Sequence, residues 1–101
     1  MKIAIAATSS QADAQVSMHG ARAEAYQVYD TDSKQREIHP NPVSSASRGA
    51  GPQAAAYLAG KGVEKVIAGR FGEKFRAELE ANSILCIEKT GSVADALAEL
   101  A

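Results

Sequence analysis

The chain is short of the residues that staple small folds together. It has one cysteine, Cys86, and no tryptophan. A lone thiol closes no internal disulfide and builds no cysteine-based zinc finger, and it is compatible with a reducing compartment. Aromatic residues make up only 5%, so a core must come from alanine, isoleucine, valine and leucine, within a hydrophobic content of 46%. Neither sign of charge dominates: 11 basic residues stand against 12 acidic ones, for a net charge of −1. The general field that draws proteins to nucleic acid or an acidic membrane surface is therefore missing. Any anion must be held by a local arrangement instead. Long apolar runs are missing too. Residues 1–7 are too few for a signal peptide or a membrane span, and polar Thr8-Ser9-Ser10-Gln11 follows at once. The reading is a cytoplasmic protein with neither nucleic acid nor membrane as partner. A length of 101 residues fits one domain, 1–101.

What the chain does have is clear patterning. Residues 2–7 alternate and then turn fully apolar, as a buried central strand does. Residues 8–22 carry little apolar content and read as a long loop, expected to be mobile; loops of more than about 12 residues in compact domains are usually functional or disordered. Ala25-Tyr26-Gln27-Val28-Tyr29-Asp30 and Gln35-Arg36-Glu37-Ile38-His39 read as the two strands of a hairpin, joined by the turn Asp30-Thr31-Asp32-Ser33 and ended by Pro40 and Pro42. Residues 41–51 are a Pro-, Ser- and Gly-rich loop. Pro52 then suits the first turn of a helix, with Ala54, Ala55, Leu58 and Ala59 as its stripe and Gly60 and Gly62 as its stop. Residues 63–68 form a strand and residues 73–81 a helix with Phe75 and Leu79 at i, i+4. Residues 84–87 read as a further buried strand. Ser92 caps a last helix, with Asp95 three residues on and Val93, Leu97 and Leu100 turned inward.

The order is β-β-β-α-β-α-β-α. Right-handed crossovers make the later strands parallel. The fold class is α/β: a mixed five-stranded sheet with three helices on its faces. This order resembles ribonuclease H-like three-layer folds. Their two-metal chemistry needs carboxylates on the central strands. The first strand offers Ile3, Ile5 and Ala7 there, which argues against a nuclease.

Ligands of open α/β sheets bind beyond the carboxyl ends of the strands. Loops 8–22, 40–51, 69–72 and 88–91 reach that edge. In Ser17-Met18-His19-Gly20-Ala21-Arg22, His19 offers an imidazole, Met18 a soft thioether and Arg22 a cation. One histidine alone is no metal site, and a solvated loop is the plainer reading of the same residues. In Arg48-Gly49-Ala50-Gly51-Pro52, Gly49 and Gly51 let backbone approach a ligand at a helix start, and Arg48 adds charge. It is neither a P-loop nor a Rossmann fingerprint, and a simple loop and cap also accounts for it. Gly69-Arg70-Phe71-Gly72 repeats the logic, with Gly69 and Arg70 as candidates. Three arginines on three loops of one edge carry more weight than any one. Cys86 reads as a small core residue, with a soft ligand as the alternative. His39 reads as structural or exposed. Asp30 and Asp32 are explained by the turn. No nucleophile stands with a base and an orienting group, so no enzyme activity is expected.

Taken together, Met1-Lys2-Ile3-Ala4-Ile5-Ala6, Val16-Ser17-Met18-His19, Tyr26-Gln27-Val28-Tyr29-Asp30, Gly49-Ala50-Gly51-Pro52-Gln53-Ala54, Gly62-Val63-Glu64-Lys65-Val66-Ile67-Ala68-Gly69 and Gly91-Ser92-Val93 resemble the dinitrogenase iron–molybdenum cofactor-binding family. The resemblance spans almost the whole chain. It implies a ribonuclease H-like sandwich without nuclease carboxylates. It also implies a role for His19 as the cofactor-binding and metal-ligating histidine. The family shows Phe-Gly after that histidine; Gly20-Ala21 stands here. Members occur outside nitrogen fixation, and one related protein of sulfate reducers holds a molybdenum–copper sulfide cluster. The resemblance therefore implies a small carrier or storage protein for an anionic metal–sulfur cluster of Mo/Fe or Mo/Cu type, or its precursor, passed between cluster donor and acceptor proteins. Few strong ligands suit a carrier that must release its cargo. The alternative is a protein–protein adaptor or regulator using the same loops without metal.

Overall fold

In the computed structural model, residues 1–45 and 48–99 are described in full and residue 100 by its backbone. The inward turn expected of the Leu100 side chain lies outside the described residues. Alternation and helical spacing produce the expected order: β1 (Lys2–Ala7), β2 (Ala25–Asp30), β3 (Arg36–Pro40), α1 (Ala50–Gly60), β4 (Val63–Ala68), α2 (Glu73–Ala81), β5 (Leu85–Glu88) and α3 (Val93–Leu100).

The five strands form one mixed sheet in the order β3-β2-β1-β4-β5. β1 is central because its side chains are apolar on both faces and need cover on both. It pairs antiparallel with β2, Ala7 opposite Ala25, and parallel with β4, Ile5 opposite Ile67. Ala4 and Ala6 point to one core, with Ala54, Ala55 and Leu58 of α1 and Phe75 and Leu79 of α2. Ile3, Ile5 and Ala7 point to the other, with Val93 and Ala96 of α3. The result is three layers. Alanines on the first face let α1 and α2 lie close to the sheet, and the isoleucines fill the thinner cover of the second. Ile5 is fully buried, which stabilises the fold by roughly 1.5–3 kcal/mol relative to exposure. No helix among the described residues is long and apolar enough to cross a membrane.

Two boundaries need correction. The loop expected to run to Gly51 ends at Gly49: α1 begins at Ala50, because Gly49 takes a left-handed conformation (φ 67°) and turns the chain into the helix, and Pro52 lies in its first turn as expected. The strand expected to be buried at residues 84–87 is an edge strand, Leu85–Glu88: Leu85 is exposed and Ile84 is the buried residue. Its place beside β4, with no neighbouring strand on the other side among the described residues, leaves half of it uncovered. Residues 8–22 form the expected loop and are tied down at several points. Ala7 bridges Val16 and Gln15 bridges Ser92. Ala14 and Val16 enter the second core. The buried Gln27 amide donates to the carbonyls of Ser9 and Gln11 at 3.2 and 2.9 Å.

The Ser92 cap is present: its hydroxyl accepts the Asp95 N–H at 3.0 Å. Cys86 is half-buried on the α1–α2 face, and burial pushes its thiol ionisation up. His39 is half-buried, meets the Tyr57 ring edge-on at 6.4 Å and lies 3.7 Å from Glu37.

Candidate functional site

The parallel strands β1, β4 and β5 end on one edge of the sheet, where the antiparallel β2 begins and β3 ends. The segments that leave this edge therefore meet in space although they are far apart in sequence. Between three of them lies an open cleft of about 700 Å³. Its walls are residues 18–22 after β1, residues 49–52 at the start of α1, and residues 70–75 from the β4–α2 turn into α2. The fourth segment, between β5 and α3, packs on the opposite side: the Gly91 carbonyl accepts the Val16 N–H at 2.8 Å.

Of the residues singled out in the sequence, Met18, His19, Arg22, Gly49, Gly51 and Arg70 line this cleft. Arg48 and Gly69 do not. Arg48 is exposed, one residue before the cap, and its carbonyl accepts from the Gln53 amide. Gly69 lies behind Met18: a Cβ there would stand 2.5 Å from the Met18 sulfur. Phe71 and Gly72, from the turn already singled out, line it too, whereas Glu73, Lys74 and Phe75 of α2 escaped sequence reasoning. A signal existed. Once the glycine turn before α2 is taken as a ligand site, the first turn of that helix comes with it.

The local electrostatics favour an anion. Arg22, Arg70 and Lys74 line the cleft, against the single carboxylate of Glu73 among the described residues. Both helices start there without a side-chain cap among the described residues: Gly49 precedes α1 and Gly72 precedes α2. Their first-turn N–H groups have no intrahelical partner and carry the positive end of the helix dipole. Two soft or borderline donors, the imidazole of His19 and the thioether of Met18, are exposed at the rim. The floor is apolar. Phe75 is buried and stacks on Phe71 at 5.7 Å, and Arg76 lies 5.1 Å over the Phe71 ring. Among the described residues no three His, Cys, Asp or Glu side chains gather around a point that a metal ion would fill. Cys86 is not part of the cleft wall. The arrangement suits a preassembled anion that brings most of its own ligands, not a bare ion needing a protein cage.

His19 is well seated. The Ser17 hydroxyl accepts the His19 N–H at 3.1 Å and donates to the His19 carbonyl at 3.2 Å. Asn41, buried at the far end of the loop, donates to the carbonyls of Ala21 and Ala23, both at 2.9 Å.

A family model described as dinitrogenase iron–molybdenum cofactor matches residues 1–101. Among solved structures, the chain is similar to a NifB-like Thermotoga protein of the DUF35 family, determined by NMR, at 31% identity and a TM-score of 0.84. That match covers 98% of this chain and 85% of that one. It is also similar to the apo form of the orange protein from Desulfovibrio gigas, at 28% identity and a TM-score of 0.87, with the same two coverages. Among curated proteins no sequence matches the chain.

Proposed function

The chain belongs to the dinitrogenase iron–molybdenum cofactor family, and from that premise we propose that it is a non-catalytic carrier or storage protein for an anionic metal–sulfur cluster held in the cleft. The observation that carries the reading is the convergence of His19, Met18, Arg22 and Arg70 on one cleft with two helix starts that have no side-chain cap among the described residues. The cations and N–H groups supply the attraction. The His19 imidazole supplies one exchangeable bond to metal. With a single strong donor the cargo leaves when a better ligand is offered, as a donor-to-acceptor relay requires.

The experiment is a titration of apo protein with tetrathiomolybdate under anaerobic conditions, followed by visible absorbance. Saturable binding is expected, weakened by His19→Ala. Arg70→Ala loses about 0.5–1.5 kcal/mol of binding, roughly two- to thirteenfold, for one charge-assisted contact at a solvent-exposed rim. Binding that ignores His19→Ala, or no binding at all, refutes the reading.

A further inference from the structure

We propose that Tyr26 and Gly69 are positioning residues for His19: Gly69 lets the loop bearing the imidazole pair with the turn bearing Arg70, and Tyr26 ties that loop to β2, so that both groups meet a ligand as one preset unit. The inference rests on the cluster-binding reading above. Two backbone hydrogen bonds of opposite direction flank His19. The Gly69 N–H donates to the Ser17 carbonyl at 2.7 Å, and the Gly20 N–H donates to the Arg70 carbonyl at 3.2 Å. The pair works as a short ladder between two loops that no regular strand connects.

Each side of the ladder has its own support. On one side, Gly69 has no side chain where Met18 passes. A Cβ would lie 3.0 Å from the Met18 Cα and 3.2 Å from the Ser17 carbonyl oxygen, closer than backbone tolerates without shifting. On the other side, the buried Tyr26 hydroxyl, reaching up from β2, donates to the Gly20 carbonyl at 2.5 Å. Burial raises the Tyr26 ionisation, so the donor keeps its proton. The backbone is thus fastened on both sides of His19, whose side chain is exposed. Ordering a binding residue before the ligand arrives removes an entropy cost from the binding step.

The test compares wild type, Tyr26→Phe and Gly69→Ala in two measurements. The first is backbone 15N relaxation of the apo proteins. Residues 17–20 are expected to be rigid in wild type, with order parameters near 0.85, and to fall below about 0.6 in both variants while the sheet is unchanged. The second is tetrathiomolybdate binding, read by affinity and by the circular dichroism that an asymmetric, fixed site induces in the absorption bands of an achiral ion. Both variants are expected to bind roughly tenfold more weakly, the cost of immobilising one side chain at binding, and to lose the induced signal. Mobile residues 17–20 in wild type overturn the proposal. So do variants that keep wild-type affinity and induced dichroism while His19→Ala loses both, an outcome that leaves the carrier reading intact. If wild type binds no thiomolybdate, the carrier reading falls, and relaxation alone decides: loss of order in Tyr26→Phe supports the clamp and unchanged order overturns it.

Discussion

Two glycine-to-alanine substitutions in one helix should move stability in opposite directions. Gly51 and Gly60 both lie in α1. By helix propensity each exchange gains roughly 0.5–1 kcal/mol. At Gly60 nothing lies within 4 Å of the added Cβ, so the gain stands. At Gly51 the added carbon would lie 2.9 Å from the Phe75 backbone nitrogen and 3.2 Å from its Cα. Neither atom can swing aside, because Phe75 is a helical residue whose ring is buried in the first core. Overpacking of this kind costs roughly 1–3 kcal/mol. The net expectation is a loss of about 1 kcal/mol for Gly51→Ala, a fall in Tm of roughly 4–8 °C in a domain of this size. For Gly60→Ala it is a rise of about 2–8 °C. Thermal unfolding by circular dichroism at one pH reads both. If Gly51→Ala raises the Tm as Gly60→Ala does, then α1 and α2 do not cross as closely as described, and the cleft between their starts is wider than stated.

Three further expectations follow from buried polar groups. Tyr26 has its ionisation raised by burial, with a smaller contribution from Tyr57. Above pH 10.0, its ordinary value, the unfolded chain sheds the phenolic proton while the native state keeps it. Stability should then fall with rising pH by up to about 1.4 kcal/mol per unit until the native phenol also ionises. Tyr26→Phe should lack that slope in urea titrations between pH 9 and 11, and equal slopes in the two proteins would contradict the burial argument. Asn41→Ala strands the Ala21 and Ala23 carbonyls and should cost about 1–3 kcal/mol in urea unfolding; a loss within error of zero would show that water replaces the amide freely. The Cys86 thiol, raised by burial, should react roughly tenfold more slowly with a disulfide reagent at pH 8 in the native protein than in urea. Equal rates would mean that its strand opens readily.

Local chemistry alone was enough for the strands, the helices and their order. The apolar period of β1, the Ser92–Asp95 cap and the glycine stops act between near neighbours, and near neighbours are what a sequence displays. The edge where the site lies was also legible, since parallel strands leave their loops on one side. Other features depended on contacts between distant segments. Arg22 and Arg70 came to one cleft while Arg48, equal to them in sequence, stayed outside, because the left-handed turn at Gly49 comes between it and the helix start. Nothing local marks Gln27 and Asn41 for burial; they are buried because residues 8–24 fold back over the sheet and present carbonyls to their amides. By itself the sequence determined a five-stranded α/β sheet with anion-friendly glycine turns on one edge. Which of those turns face one another is set by contacts between distant segments, because the hydrogen bonds and close backbone approaches that join them link residues roughly 24 to 52 positions apart, and no local pattern records such pairings.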